Sequence, residues 1–428
     1  MTRRLNRKLC LLAALLSVLA LVAAGCGNDD DNTASVGEIG AEGAPTGSPS
    51  ASPSASATPM APAPTEAPTA QPMDDEPMDP VSMDEEPVSE PTESPAEMEM
   101  QALLDTFDAN DDGTLTIGVA AAGPRDDQGY YQALVDFAEE FSAENGFAPP
   151  IVSDNIGAAE AAQAMSDLAA QGVDVILVGA SEIAEPLADL TEQYPDIFWY
   201  CNCGAGFPET PGLAQATDWG SAIHYTAGVA MGAALQDRGG DTTVFLGCCD
   251  LGFEKEAYSA TLYGLQSVDP SFTMEYVATG AFPFDFDNSA NATAALTNAI
   301  AEGAALVYAY LGGALNPVGQ LATDEGIAIF AAGPADICSR DDGISWTGSV
   351  VFDGGRYARE VLPLIISGDL AEGATYDFPT EPGLNGGELC DPSAEGEALL
   401  ADAFEAVATD GELLGVLGGI SAEAYGGG

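Results

Sequence analysis

The spacing of apolar positions changes character three times along the chain. Residues 9–24 are a continuous apolar run broken only by Ser17. That run is shorter than the roughly 20 residues a membrane-spanning helix needs, and its length suits the core of an export signal. From residue 27 to about 100 the chain is Asp, Pro, Ser, Ala, Thr and Glu, with Met its main large apolar residue and no apolar period. Such a stretch cannot bury a core, and Pro blocks helix and sheet ladders, so it reads as a disordered stalk.

From about residue 113 short apolar runs alternate with helical spacing. Strands are predicted over 115–121, 151–153, 173–178 and 197–201. Between them, Tyr130, Leu134, Phe137 and Phe141 recur at helical spacing, as do Ala161, Met165, Leu168 and Ala169, and then Ile183, Leu187, Leu190 and Tyr194. This is the pattern of a parallel, doubly wound sheet. It restarts after a predicted helix over 224–235, with strands at 243–246, 274–278, 305–310 and 328–332 and helices at 255–266, 291–302 and 317–324. A strand over 350–352 and a helix over 354–366 are expected to cross back into the first half. A last amphipathic helix carries Leu400, Phe404 and Val407 on one face. The fold class is therefore α/β, with two doubly wound parallel-sheet lobes joined by a hinge. The first lobe is expected over about 113–218 plus 343–372, the second over about 219–342 plus 373–428.

Charge sharpens the picture by exclusion. The chain has Lys+Arg 10 against Asp+Glu 68, a formal net charge of −58. Nucleic acid is excluded as a partner, because its binding requires cationic groups to displace counterions. An anionic lipid surface is excluded as an electrostatic dock for the same sign of charge. Residues 27–112 hold 21 carboxylates and no Lys or Arg, leaving six cations against 47 carboxylates in residues 113–428. Such a domain repels itself unless salt screens it, which points to a salt-loving source.

The amino-terminal segment has its own chemistry. Arg3, Arg4, Arg7 and Lys8 precede the apolar run, which ends in Leu21-Val22-Ala23-Ala24-Gly25-Cys26. This resembles a bacterial lipobox, with Ala at the position three before the cysteine where Leu is commoner. Residues 1–25 are thus expected to be a lipoprotein signal peptide, and Cys26 to be lipidated and to tether the chain to the outer face of the cell membrane. The stalk is expected over 26–112. Where it ends, Asp108, Asn110, Asp112 and Gly113 match the first half of a calcium-binding EF-hand loop, but Val119 stands where the bidentate Glu belongs. The segment reads as an acidic turn into the first strand, and no metal is expected.

In a doubly wound sheet the ligand sits beyond the carboxyl ends of the strands. Those exits include Gly123 to Tyr131, Gly179-Ala180-Ser181, Cys201-Asn202-Cys203, Gly247-Cys248-Cys249-Asp250, Tyr310 to Ala314 and Gly333 to Asp336. They are rich in Gly, carboxylates and Tyr. Aromatic faces stack on rings and carboxylates accept from hydroxyls, which suits a polar ring-bearing solute. No spaced Ser/His/Asp or Cys/His set accompanies them, and the sole histidine, His224, reads as structural, so an enzyme is not expected.

The same exits, in their order and spacing, resemble the basic membrane protein family, the lipoprotein solute-binding components of ABC transporters. The resemblance covers roughly residues 114–390. It rests on Pro124 to Gln132, on Gly172 to Gly179 with Tyr194-Pro195-Asp196, on Phe245 to Asp250, on Tyr310 to Val318 and on Ala332 to Asp336. It implies the type I periplasmic-binding-protein fold, an ABC permease as partner and a purine-nucleoside-like ligand. By residue, it implies ligand contacts from Asp127, Tyr130, Asp250 and Asp336, and close backbone approach at Gly312 and Gly313; Tyr131, at the same strand exit, is a further candidate contact. Gln128, Tyr131, Cys203 and Pro334 depart from the family's motifs, removing expected polar contacts for a nucleoside. A surface receptor of the same fold, signalling to a membrane sensor, is the second reading. No cofactor is implied.

Beyond Cys10 and Cys26, six cysteines remain: Cys201, Cys203, Cys248, Cys249, Cys338 and Cys390. An even number in an exported chain predicts disulfides, with 15 connectivities open. Cys201 and Cys203 point to one side of a strand, whereas Cys248 and Cys249 point apart. Cross-lobe bonds would limit hinge motion, so staples near the hinge are expected. C-x-C and C-C spacings match zinc sites poorly.

Overall fold

The computed structural model describes residues 95–204, 207–282 and 284–426. The signal peptide, Cys26 and the stalk as far as residue 94 lie outside the described residues. The first described element is a helix, α1 (Pro95–Phe107), inside the segment expected to be stalk. Met100, Leu103, Leu104 and Phe107 fall on one helical face and pack against the first core, Phe107 meeting Phe198 edge-on at 6.0 Å. The acidic composition of this segment hid that stripe. The turn that follows is closed by its own acids. Asp108 accepts from the amides of Asp112 and Gly113, and Asp112 accepts from Thr114. The buried Asp174 carboxylate then takes the Ala109 and Thr116 amides, tying the turn to the sheet.

The first sheet takes β1 (Thr116–Ala121), β2 (Ala148–Ser153), β3 (Val175–Gly179), β4 (Phe198–Asn202), β5 (Leu213–Thr217) and the late β11 (Thr375–Asp377) in the order β11-β5-β4-β3-β1-β2. Every pairing in it is parallel. The second sheet repeats that order with β6 (Thr242–Gly247), β7 (Thr273–Ala278), β8 (Leu306–Ala309), β9 (Ala328–Gly333), β10 (Gly348–Phe352) and β12 (Asn385–Leu389) as β12-β10-β9-β8-β6-β7. Only its β10–β12 pair is antiparallel. Central strands such as β1, β3 and β9 are buried along their whole length, as strands covered on both faces must be.

Helices cover both faces of each sheet. α2 (Tyr130–Asn145), α3 (Ala161–Ala169) and α4 (Leu187–Gln193) belong to the first lobe. α5 (Gly220–Arg238), α6 (Gly252–Val268), α7 (Ser289–Glu302) and α8 (Leu315–Glu325) belong to the second. α9 (Gly354–Ser367) returns to the first lobe and lies on α2, where a Cβ on Gly355 would meet the Ala133 carbonyl at 2.5 Å. α10 (Ala394–Thr409) and α11 (Gly411–Gly426) pack on α5 in the second lobe. α5 and α6 approach so closely that a Cβ on Gly264 would meet the Tyr225 carbonyl at 2.2 Å.

The chain passes between lobes three times: after β5 at Asp218, after β10 at Asp353, and between β11 and β12. The strand over 350–352 was expected in the first lobe. It belongs to the second, because β10 pairs with β9 and β12, and the return begins one residue after it. Conversely, β11 extends the first sheet beyond residue 372 by pairing with β5. All three crossings meet at one side chain. The buried Tyr357 hydroxyl donates to Asp218 Oδ2 at 2.7 Å and accepts from Asn385 Nδ2 at 3.4 Å. Its ring stacks on Phe378 at 4.1 Å.

The disulfides do not staple this hinge. The structure pairs Cys201 with Cys203, Cys248 with Cys249 and Cys338 with Cys390, each within one lobe. Cys201 and Cys203 share a strand side, with Cα atoms 5.1 Å apart. The alternation expected to separate Cys248 from Cys249 ends at Gly247, where the chain leaves β6 and bends.

Tyr357→Phe removes the hydroxyl shared by Asp218 and Asn385, leaving a desolvated carboxylate without that donor. It is expected to lower stability by about 1–3 kcal/mol. Urea unfolding measures this, and an unchanged midpoint would contradict the hinge role.

Candidate functional site

The carboxyl ends of both sheets face a cavity of about 920 Å³ between the lobes. This is where a doubly wound sheet places its ligand. The first-lobe wall starts at the exit of β1. Asp127 Oδ1 accepts from the Gly129 and Gln132 amides at 2.8 and 3.0 Å and so fixes the start of α2. That start aims Tyr130 and Tyr131 into the cleft. Tyr130 accepts from Asn202 Nδ2 at 2.8 Å, and Tyr131 donates to Glu182 Oε1 at 3.1 Å. The second carboxylate oxygen of Glu182 is buried without a partner. Burial raises the pKa of Glu182 and of Asp127, and for Asp127 the charge of Asp287 across the cleft adds to the rise.

The floor is the hinge. Asp218 and Tyr357 line it, together with His224 on the first turns of α5. His224 Nδ1 donates to the Gly220 carbonyl at 2.7 Å, leaving Nε2 to accept from the Tyr308 hydroxyl at 3.0 Å. Burial lowers its pKa to about 4, so it is neutral at ordinary pH. Glu256, also in the lining, accepts from the Ser221 amide at 3.0 Å and the Tyr425 hydroxyl at 3.0 Å. Tyr425 is thereby drawn from the end of α11 to the cavity.

The second-lobe wall is aromatic. Phe253, Phe286 and Tyr310 stand with ring centroids 6.1, 6.2 and 6.3 Å apart, and Phe352 stacks on Tyr310 at 5.6 Å. Phe286 belongs to the loop between β7 and α7, which also carries Phe282, Phe284, Asp285 and Asp287 to the cavity. Phe282 lines the cavity yet is 78% exposed. At the mouth the lobes touch. Gln128 Oε1 accepts from Asn316 Nδ2 at 2.7 Å, and the Gln128 carbonyl accepts from Arg340.

Of the sequence-predicted residues, the structure brings Asp127, Tyr130, Tyr131 and Gly312 to the cavity. Asp250 lies off it, exposed and 3.5 Å from Lys255. Asp336 also lies off it, where it pairs with Arg340 at 2.6 Å and so steers that side chain to Gln128. Gly313 is absent from the lining because its amide donates to Asp287. A Cβ on Gly312 or Gly313 would meet Asp287 Oδ1 at 2.8 or 3.0 Å. These glycines make room for a loop of the protein, where close approach of a ligand was expected. Sequence reasoning placed Tyr310 at a strand exit but missed Glu182, Asp218, Glu256 and the Phe253 and Phe286 rings that complete its wall. The alternation of Phe and Asp over residues 282–287, just past a strand end, was a readable signal for one part of it. Among the described residues no group of three or more His, Cys, Asp and Glu is placed to hold a metal.

Comparison with known proteins addresses the fold. A scan of protein-family models finds no match, and a search of curated proteins finds none either. Among solved structures the chain is similar to a solute-binding protein of an ABC transporter system from Aeropyrum pernix K1, at 14% identity and TM-score 0.58, over 72% of this chain and 99% of that one. It is also similar to a transcriptional activator of the comK gene from Bacillus halodurans, at 16% identity and TM-score 0.55, over 69% and 98%. A third is an ABC transporter solute-binding protein from Conexibacter woesei DSM 14684, at 18% identity and TM-score 0.50, over 69% and 96%. The two lobes therefore have the type I periplasmic-binding-protein fold that the sequence resemblance implied.

Burial holds the pKa of Asp218 above the usual carboxylate range, against the lowering effect of its Tyr357 hydrogen bond. The folded protein therefore binds this proton more readily than the unfolded chain, and ionising the group costs stability. That cost is absent well below the usual carboxylate pKa and grows as pH rises through the raised folded value. Asp218→Asn removes it and keeps an oxygen for Tyr357. The ligand-free variant is expected to melt above the wild type at pH 7, with the difference vanishing toward about pH 3. A variant that melts lower at pH 7 would contradict this.

Proposed function

We propose that this chain is the extracytoplasmic solute-binding component of an ABC importer, closing its two lobes over a polar ring-bearing solute and presenting it to a membrane permease. The observation that carries this reading is the cavity itself. It lies at the strand ends of both sheets and draws its walls from both lobes, so occupancy couples to lobe closure. A solute favours the closed state by the contacts it makes only when both walls are near. Tyr130 and Tyr131 on one side, and Tyr310 with its neighbouring Phe rings on the other, would hold a ring between aromatic faces. Free carboxylate oxygens would accept from its hydroxyl or N–H groups.

The resemblance to the basic membrane protein family supports a nucleoside-like solute as the first candidate. Lipid anchoring through Cys26, with residues 27–94 spacing the domain from the membrane, completes the proposal. Among the described residues no helix is long and apolar enough to cross a membrane. A ligand receptor of the same fold is the second reading, and it would use the same closure to signal.

A thermal-shift panel of adenosine, guanosine, inosine, sugars and amino acids in high-salt buffer tests the solute role. A true ligand at about a hundredfold excess over its Kd is expected to raise Tm by roughly 5 °C or more. A panel that leaves Tm unchanged would count against solute binding. Separately, Cys26→Ala is expected to move the expressed protein from the detergent-extracted membrane fraction to the soluble fraction. Unchanged partition would exclude the lipid tether.

A further inference from the structure

The cleft carries a charge imbalance that narrows what it can hold. Asp127, Glu182, Asp218, Glu256, Asp285 and Asp287 all line it, and the described lining contains no Lys or Arg. His224, its one imidazole, has both ring nitrogens engaged within the protein. An acidic outer surface on an acidic protein needs no ligand to explain it, because water and counterions screen exposed charge. Glu182 stands apart from that background: its Oε2 is buried with no partner among the described residues. Burial disfavours ionisation of the Tyr130 hydroxyl, and the charges of Glu182 and Asp218 add to that effect. Asp127 and Asp287 line the cavity from opposite lobes, so closing the cleft would bring two carboxylates toward one another.

Opposite these acids stands the wall of Phe253, Phe286 and Tyr310, backed by Phe352. The negative faces of aromatic rings attract cations, most strongly where water is excluded. A neutral hydroxyl could donate to Glu182, but it would leave the repulsion between Asp127 and Asp287 in place. A positive charge satisfies the orphaned oxygen, relieves that repulsion and is welcomed by the ring faces.

We infer that the solute of this cleft is an organic cation. Its apolar or ring-bearing body lies on the Phe253–Phe286–Tyr310 wall, and its protonated amine, amidinium or quaternary ammonium group faces Glu182 and Asp218. This rests on the cleft being a solute site, as proposed above, and adds the sign of the ligand's charge.

The test separates the two claims. Calorimetric titration of the full chain compares pairs that differ in charge and little else: tryptamine with tryptophol, benzamidine with benzamide, and choline with 3,3-dimethylbutanol. Adenosine, inosine and guanosine are titrated beside them. At least one cation is expected to bind about tenfold or more tightly than its neutral partner. Glu182→Gln and Asp218→Asn are each expected to erase that preference, with thermal unfolding used to verify that both variants are folded. If neutral nucleosides bind and the cations show no advantage, the cation inference is overturned while the solute-binding reading stands. If nothing in the set binds, both are contradicted.

Discussion

The hydroxyl of Tyr357 is where the two halves of the molecule are joined. It reaches Asp218 beside the first crossing and Asn385 beside the third, from a helix that starts at the second. The Tyr357 ring is pinned on Phe378. Each lobe has its own sheet and helices, and away from the hinge the lobes also meet at the mouth through Gln128 with Asn316 and Arg340. Tyr357, Asp218 and Asn385 bring a buried carboxylate to the cavity floor. Hinge and cavity floor are therefore built from one set of contacts, so a solute held at the floor would act directly on the hinge.

That arrangement explains why the acidity of the chain has two meanings. Most carboxylates outside the cleft are solvated, where counterions screen their repulsion. Three of those in the cleft, Asp127, Glu182 and Asp218, are desolvated, and burial raises their pKa. Cations are scarce, and several of those present are used structurally: Arg125 with Asp154, Arg359 with Glu140, and Arg340 with Asp336. Leaving the cleft without one is consistent with a site whose missing charge arrives with its ligand. Stability sacrificed in the empty protein would be recovered on binding, a common trade in functional sites.

Much of the fold was legible because its central strands are fully buried. Runs such as VDVILV can be little else, and the helical stripes between them fix the alternation. The misses have physical causes. β5 is built from Leu213, Ala214, Gln215, Ala216 and Thr217, mostly weak strand formers that tertiary pairing overrides. β12 contains Asn385, Gly386 and Gly387, which read as a turn, and α11 carries five glycines that argue against a helix. The site was half legible. Tyr130 and Tyr131 follow the first strand directly, so strand-exit reasoning found them. Asp218, Glu182 and Glu256 come from separate crossings and helices, and only the closed fold shows that they share a cavity. Carrying motif positions across from a family put Asp250 and Asp336 in the cleft, whereas here they pair with Lys255 and Arg340 off it.

The account stands on a solute whose positive charge completes the cleft. Native mass spectrometry of the full chain, purified without denaturation, tests it most directly. The account predicts one small organic molecule retained per folded chain, carrying a fixed or protonated positive charge when released by unfolding. A retained solute that is neutral or anionic at pH 7, or a folded protein whose mass is that of the polypeptide with its covalent modifications alone, would contradict it.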